Sequence, residues 1–515
     1  GIYRLWVRCK NWMPEYSPGK FQVLINGKSS PTTFGTAKSG KWLWQDGGKF
    51  DLKAGDVEIC LHDMTGYYGR CDTIMLTNNL KYWPPEEKEK LSAEREKFGG
   101  VSSKIYQMND YEVIVIGGGL AGIASAISSA RAGVSTALIH NRPVLGGNAS
   151  IEIRHIDANA GGYHATGGLA REISTAGCNL LRMVLDERNL SLFLNTHVTN
   201  VTMESTNTIG AVQAIHTITG KRMLFPGKIF VDCTGDASVG ALAGAEFRMG
   251  REGKEEFGEM LAPLKSDKYT MGASLLFQFY DTGSYVNFKA PPWAIKFKDC
   301  NTYPNRHPTL DLDAEQNHGY WWIEYGGMKD PIKDGEEIRD ELFRIIYGVW
   351  DHIKNHCPKL KEKARNLDIR WMGYIVGKRE SRRLIGDYIM TEMDILSRRV
   401  FRDRIAVGDW GIDIHPPGGF YDRQPPAAFY PKSKWSPSSG KKIRYTIPYR
   451  ILYSRNINNL LMAGRNVSVS HVGLGGVRLM GTCAAMGQAA GTAAAMCVKL
   501  NTTPRNIYKN YLREL

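Results

Sequence analysis

Residues 113–122 read VIVIGGGLAG, and they restrict the fold of this chain more than any other stretch. A continuous apolar run, Val113 to Ile116, meets Gly117-x-Gly119-x-x-Gly122, and Leu120 and Ala121 open a run of small residues. The first glycine turns tightly, the second lets backbone approach a pyrophosphate, and the third lets helix pack on strand. The helix N-terminus then favours phosphate charge. A bare GxGxxG specifies only a glycine-rich turn. A buried strand before it and a helix after it make a dinucleotide-binding βαβ unit the expected structure. The next strand, 135–140, ends in His140. Such units commonly carry an acid there, which accepts two hydrogen bonds from the ribose. A neutral His140 accepts one, with Asn141 beside it, so weaker ribose recognition is expected. The alternative is a His140 turned to solvent.

Three further segments bear on which dinucleotide is held. Arg142, Gly146 and Gly147, in NRPVLGGNAS, resemble the Arg-x-x-x-Gly-Gly element that runs along FAD in two-dinucleotide-fold flavoproteins. Asn148 and Ser150 nominally form a glycosylation acceptor. Inside such a loop they read better as polar groups on the cofactor. Thr234, Gly235 and Asp236, in IFVDCTGDAS, resemble the element that closes an FAD domain. The stretch 459–491, NLLMAGRNVSVSHVGLGGVRLMGTCAAMGQAAG, resembles the C-terminal flavin element. There Gly464 and Arg465 would meet the phosphates, and Met480, Gly481 and Thr482 would begin a helix aimed at the pyrimidine end of the flavin. A positive helix end stabilises the anion that develops there on reduction. Val198 lies where the adenine-contacting strand of such proteins passes, although a plain core valine accounts for it equally. A nicotinamide-only protein has no use for the last two elements, so FAD is the expected cofactor.

These motifs identify the chain as a member of the bacterial FAD-dependent oxidoreductase family, within the fumarate reductase and glutathione reductase superfamily. The resemblance covers about 110–499 and includes GKRESRRLIGDY and IPYR. It implies an α/β fold: a two-dinucleotide-type FAD-binding Rossmann domain (110–248 and 446–515) with an inserted α+β substrate or cap domain (249–445). Residues 1–83 form short alternating runs rich in aromatics, among them Trp6, Trp12, Trp42, Trp44 and Trp83. They read as a β-sandwich, similar to carbohydrate-binding-like modules. Core tryptophan is the commoner role in sandwiches of this size. Residues 84–109, charged and bounded by Pro and Gly-Gly, read as a solvated linker helix. Chains of this kind are sometimes called xanthan-lyase-like, but no residue argues for lyase chemistry.

The resemblance implies hydride transfer from a polar substrate to flavin N5, and the appended module and the basic charge suit a carbohydrate or uronate-type substrate. That step needs an acid or base and cations to orient the substrate. The candidates are His471 and Arg478, which flank the glycine-rich loop, the pair Arg382 and Arg383, and His415 in a Pro-braced loop. Each has a plain alternative: a polar structural histidine, a turn cap, or salt bridges to Glu380 and Asp387. Glu152, Arg154, His155 and His164 follow the first cofactor loop. Fumarate reductase relatives can carry covalent FAD in that neighbourhood, but the matching motif is missing, so FAD is expected to be non-covalent.

The bulk properties exclude little. Net charge is +14 and pI about 9.2, which suits an acidic substrate or simply a basic surface. Lysines and arginines are scattered, so no nucleic acid partner is expected. The nine cysteines lie far apart, and no Cys/His grouping has metal-ligand spacing. The expectation is therefore no metal, with Cys60 and Cys71 as free thiols or one bridge. The apolar stretches 113–130 and 481–498 are rich in small residues and read as buried helices, not membrane spans. No second GxGxxG follows, so an external electron acceptor is expected. Location is periplasmic or secreted where an export signal has been removed, and otherwise cytoplasmic. Oligomeric state is open. Two other readings stand: a flavin-containing isomerase or lyase acting on a polysaccharide-derived sugar, and a carbohydrate-binding protein with a degenerate flavin domain.

Overall fold

The computed structural model describes the chain except for residues 67, 101–103, 155–166, 177–178, 304–306, 311–318, 423–426 and 431–443. It divides into two compact units. One is 1–103 with 290–295, and the other is 104–289 with 296–515. His155 and His164 lie outside the described residues.

The first unit has two three-stranded antiparallel sheets. One orders β4 (Trp42–Asp51), β1 (Ile2–Lys10) and β6 (Cys71–Thr77), and the other β3 (Lys28–Ser29), β2 (Phe21–Ile25) and β5 (Ile59–Asp63). Alternation along β1 turns Leu5, Val7 and Cys9 onto Val23, Ile25, Phe34 and Phe50. Each large side chain so buried contributes roughly 1.5–3 kcal/mol. Trp6, Trp12 and Trp44 are buried, whereas Trp83 is exposed and lies edge-on to Trp6. Helix α1 (Lys88–Phe98) buries no residue. The segment around it is nonetheless no free tether. Trp44 Nε1 donates to Pro85 O at 3.1 Å, and Arg95 pairs with Asp72.

The second unit is built on a mixed sheet. Its parallel strands run in the order β10 (Leu190–Phe193), β9 (Thr136–Ile139), β8 (Tyr111–Ile116), β13 (Arg222–Asp232) and β14 (Leu460–Met462). β8 and β9 are apolar and buried throughout their paired length, as strands covered on both faces must be. β13 serves two partners. Its first residues pair with β7 (Ile105–Gln107) and its last with β8, while β11 (Thr196–Ser205) and β12 (Thr208–His216) extend it as an antiparallel meander. Pro226 falls between the two partners on that edge, where no N–H is required. Chain order reverses between β8 and β13, and crevices at such switch points receive ligands.

Helix α2 (Leu120–Arg131) packs against α5 (Met480–Lys499). A Cβ on Gly487 would stand 2.1 Å from Ala121 O, and one on Gly491 2.1 Å from Ser125 O. Only glycine permits that approach. The matched pairs also make the two helices parallel.

The expected separation of a cap domain at 249–445 does not hold cleanly. Met271, Leu384, Met390, Ile395, Ala406 and Ile412 belong to the same apolar core as β8 and α5. The rest of that stretch contains the pair 277–281 with 367–372 and helix α3 (Gly335–Asp351). α3 carries Glu336 and Glu337 in its first turn and buries Ile338, Leu342, Ile345 and Val349. Its last turn widens into a π turn, His352–His356. No described helix is long and apolar enough to cross a membrane.

Candidate functional site

A cleft opens at the carboxyl ends of β8 and β13. Gly117 has φ +106°, and a Cβ there would meet Cys233 O at 2.3 Å. A Cβ on Gly122 would stand 1.7 Å from Gly117 O, which is the helix-on-strand contact expected of the third glycine. Gly122 therefore packs behind the cleft. Gly119 faces the backbone of Gly147, whose own Cβ would approach Gly119 Cα to 3.0 Å. Gly119 N-caps α2 without a side-chain bond, and the first turn carries no acid. The free N–H groups of that turn, with Leu120 and Ala121, remain for a ligand. A Cβ-less cradle ending in an uncapped helix fits a dinucleotide pyrophosphate.

His140 lines the cleft but is spoken for. Its Nδ1 accepts from Gly118 N–H at 3.0 Å, and Nε2 donates to Val144 O at 3.0 Å. It is 4% exposed. Burial, then the charge of Arg142, push its pKa down to about 4. Neither expectation for it survives: it does not turn to solvent, and it has no ring nitrogen free for a ribose. It clips the glycine loop to the 142–147 loop. Asn141, Arg142 and Val198 line the same end of the cleft, with Thr196 and His197. Arg142 approaches Glu152 at 3.0 Å. Arg154 instead reaches Gln278 and stacks on Trp371.

Gly146 and Asn148 also line the cleft, and the Asn148 amide donates to Lys378 O at 2.9 Å. Ser150 is buried behind the loop and does not reach the wall. On the opposite side Asp232, at the end of β13, accepts from the Thr234 N–H and hydroxyl and from Gly240 N–H. That fixes the turn carrying Thr234, Gly235 and Asp236 into the cleft. Asp236 receives Lys378 Nζ, Arg465 Nη2 and Ser381 Oγ, each at 2.7 Å. Burial alone would raise its carboxyl. Arg465 and Lys378 outweigh that and hold it well below the usual range. Gly464, at φ +109°, sits beside Ala121.

α5 begins without a side-chain cap or an acid in its first turn. Met480 reaches the cleft. Gly481 and Thr482 lie on the turn behind it, and the Thr482 hydroxyl is buried without a partner among the described residues. The parallel register with α2 carries the start of α5 about 9 Å beyond the start of α2, at 1.5 Å per residue.

Of the proposed catalytic residues, the cleft receives only Arg478. It closes helix α4 (His471–Val477), and its Nη2 donates to the carbonyl and carboxylate of Asp413 at 2.9 and 3.1 Å. Its Nε is buried without a partner among the described residues. His415 is buried one step behind. Nδ1 bonds Glu324 at 2.9 Å, and Nε2 lies 3.1 Å from Asp413 Oδ1, off the hydrogen-bond direction. Burial would raise both carboxylates. For Asp413 the charge of His415, and for Glu324 that of Arg379, holds the group down instead.

His471, Arg382 and Arg383 are corrections. Arg383 is fully buried between Glu380 and Glu252, with 2.7 Å to the latter. His471 gives its backbone N–H to Glu252 and holds Glu380 through Nδ1, both at 2.8 Å. These side chains are bound to one another inside the core and do not line the cleft. Arg382 stacks on Phe247 and donates weakly to Asp236 O at 3.4 Å. Asp387 is not its partner, because Arg505 takes that carboxylate. Lys378, in the same GKRESRR motif, carries no local signal that separates it from the neighbouring arginines; only its bond to Asp236 shows its place. Asp413 and Glu324 carry no local signal and emerge only from their partners.

A family model described as FAD dependent oxidoreductase matches residues 112–515. No curated protein matches the chain. Among solved structures, the chain is similar to a geranylgeranyl bacteriochlorophyll reductase-like protein of Thermoplasma acidophilum, at 12% identity over 77% of this chain and 80% of that one, TM-score 0.36. It is also similar to the glycerol-3-phosphate dehydrogenase of Bacillus halodurans complexed with FAD, at 12% identity over 37% and 43% of the two chains, TM-score 0.22. The L-proline dehydrogenase of P. horikoshii matches at 22% identity and TM-score 0.19, over 30% of this chain and 26% of its own length.

Proposed function

The chain belongs to the FAD dependent oxidoreductase family, and from that premise we propose that it oxidises a polar, carbohydrate-type substrate anchored by Arg478. FAD supplies, when bound, the two-electron acceptor. The glycine loop and the start of α2 would hold its pyrophosphate, Asn141, Arg142 and Val198 its adenosine end, and Asp236, Arg465 and the start of α5 the remainder.

One observation carries the substrate reading. Arg478 lines the cleft, and both of its recorded side-chain hydrogen bonds run from one nitrogen, Nη2, to Asp413. A half-satisfied guanidinium on a cleft wall offers a directed donor to a carboxylate or hydroxyl oxygen. His415 and Glu324 act on it indirectly: Glu324 holds His415 beside Asp413, and Asp413 fixes Arg478. Positive net charge favours the approach of an acidic sugar such as a uronate. Reoxidation falls to oxygen or an external carrier. The test is anaerobic mixing of the flavin-loaded enzyme with a panel of neutral sugars and uronates. Bleaching of the flavin's visible absorption by a uronate supports the reading. Product formed without bleaching would replace it with a redox-neutral reaction.

A further inference from the structure

Away from the cleft, four side chains that the flavin chemistry does not use converge at the end of α3. They are Cys300, His307, His352 and Cys357, and one donor atom from each lies within 4.8 Å of all the others. We propose that these residues form a closed, tetrahedral zinc site.

The distances support zinc in particular. Zinc holds sulfur at about 2.3 Å and imidazole nitrogen at about 2.0–2.1 Å. A tetrahedron with those arms separates its ligands by about 3.8 Å for S···S, about 3.3 Å for N···N and about 3.6 Å for S···N. Here Cys300 Sγ and Cys357 Sγ are 3.7 Å apart, and the two histidine Nε2 atoms are 3.3 Å apart. Cys300 Sγ to His352 Nε2 is 3.7 Å, and Cys357 Sγ to His307 Nε2 is 3.6 Å. A disulfide needs its sulfurs at about 2.05 Å, so the thiols are not bridged.

The histidines are oriented as ligands. His352 Nδ1 lies 2.7 Å from Phe297 O, and His307 Nδ1 lies 2.8 Å from Pro308 O. A carbonyl only accepts, so both Nδ1 atoms carry the proton and both Nε2 atoms present lone pairs. Backbone carbonyls fix metal-binding imidazoles in this way. Two lone pairs 3.3 Å apart repel, and a cation between them removes the conflict. Two thiolates with two neutral imidazoles also balance Zn²⁺, so the charge is compensated where it is buried.

The local fold provides the spacing. The π turn brings Cys357 back under His352, its N–H bonded to His352 O at 2.7 Å. Such turns often mark functional positions. Cys300 opens a short 3₁₀ turn in which the Asp299 side chain accepts the Asn301 N–H at 2.8 Å. An iron–sulfur cluster held by two cysteines and two histidines puts the cysteines on one iron and the histidines on the other, whereas here each sulfur lies 3.6–3.7 Å from a histidine nitrogen, the spacing of ligands on one tetrahedral zinc. With all four positions taken by protein the site is structural, tying Cys300 and His307 to the end of α3.

The experiment is elemental analysis of the purified flavin-loaded protein. One zinc per chain is expected, falling to background in the Cys300→Ser/Cys357→Ser double variant. Because that variant can fail to fold, the wild-type protein is also loaded with cobalt. Cobalt bound by tetrahedral sulfur and nitrogen gives intense ligand-field bands in the red, clear of the flavin. Stripping the wild type with a strong chelator is expected to lower Tm by several degrees, with recovery on adding zinc but not magnesium. The proposal is overturned by metal-free native protein without cobalt bands, by zinc unchanged in the double variant, or by a Cys300–Cys357 disulfide in the native peptide map.

Discussion

Gly118 gives its backbone N–H to Nδ1 of His140 at 3.0 Å, and Nε2–H of the same ring donates to Val144 O at 3.0 Å. The ring is therefore a two-ended clip between the two loops that build the nucleotide end of the cleft. His140→Glu would restore the usual acid of a dinucleotide fold, yet it should weaken FAD retention. A carboxylate can still accept from Gly118, but it cannot donate to Val144, and it meets that carbonyl as a buried charge. A loss of about 1–3 kcal/mol is expected, read as a drop in Tm and a lower flavin-to-protein ratio. Flavin content equal to wild type would show that the clip is dispensable.

The clip is also sensitive to pH. Burial lowers the His140 pKa from 6.5 to about 4. Below 6.5 the unfolded chain takes up a proton that the folded chain refuses until about 4. Stability is then complete above that window and declines as pH falls through it. At about 1.4 kcal/mol per pH unit, the decline amounts to about 3 kcal/mol. Thermal unfolding across the window should show the slope, and His140→Gln, which never protonates, should flatten it. An unchanged slope in that variant would assign the effect to other groups.

Two glycines three residues apart should fail differently. At Gly119 an added Cβ has no neighbour nearer than Gly147 Cα at 3.9 Å. Gly119→Val should fold, fill the cradle and lose FAD. Gly122→Ala places its Cβ 1.7 Å from Gly117 O, so strand and helix must separate and soluble protein should be lost. Circular dichroism with flavin fluorescence distinguishes the cases.

Arg478→Gln should retain FAD and raise KM for a uronate about 10- to 100-fold, the equivalent of one charged hydrogen bond. His415→Asn acts one residue further back. It should lower kcat/KM by a smaller factor, because Asp413, which fastens Arg478, loses one of the neighbours that lower its pKa. Equal effects on neutral sugars and uronates in steady-state kinetics would remove Arg478 as the anchor.

What the sequence reveals here depends on how far apart the partners lie. The glycine loop, the turn after β13 and the start of α5 each keep their chemistry within a few consecutive residues, so their motifs are readable. His471 and Arg383 sit beside such motifs and look functional. Their role is decided by Glu252, which lies 219 and 131 residues away. His140 misleads for another reason: its partners are backbone atoms, of Gly118 22 residues before it and Val144 four after, which side-chain identity does not display. Cys300, His307, His352 and Cys357 match no familiar ligand spacing. A loop and one widened helical turn bring them together.

Gly487 stands 366 residues after Ala121 in the chain, yet the two touch through backbone, and their helices point the same way. Parallel helices aim like poles in the same direction, each worth about half a positive charge. The glycine loop with α2 and the start of α5 come from opposite ends of this unit, so the cleft has both of its electropositive walls only when the two ends are packed together. The negative charge of a dinucleotide held between them would offset their mutual repulsion and so strengthen the packing that closes the unit.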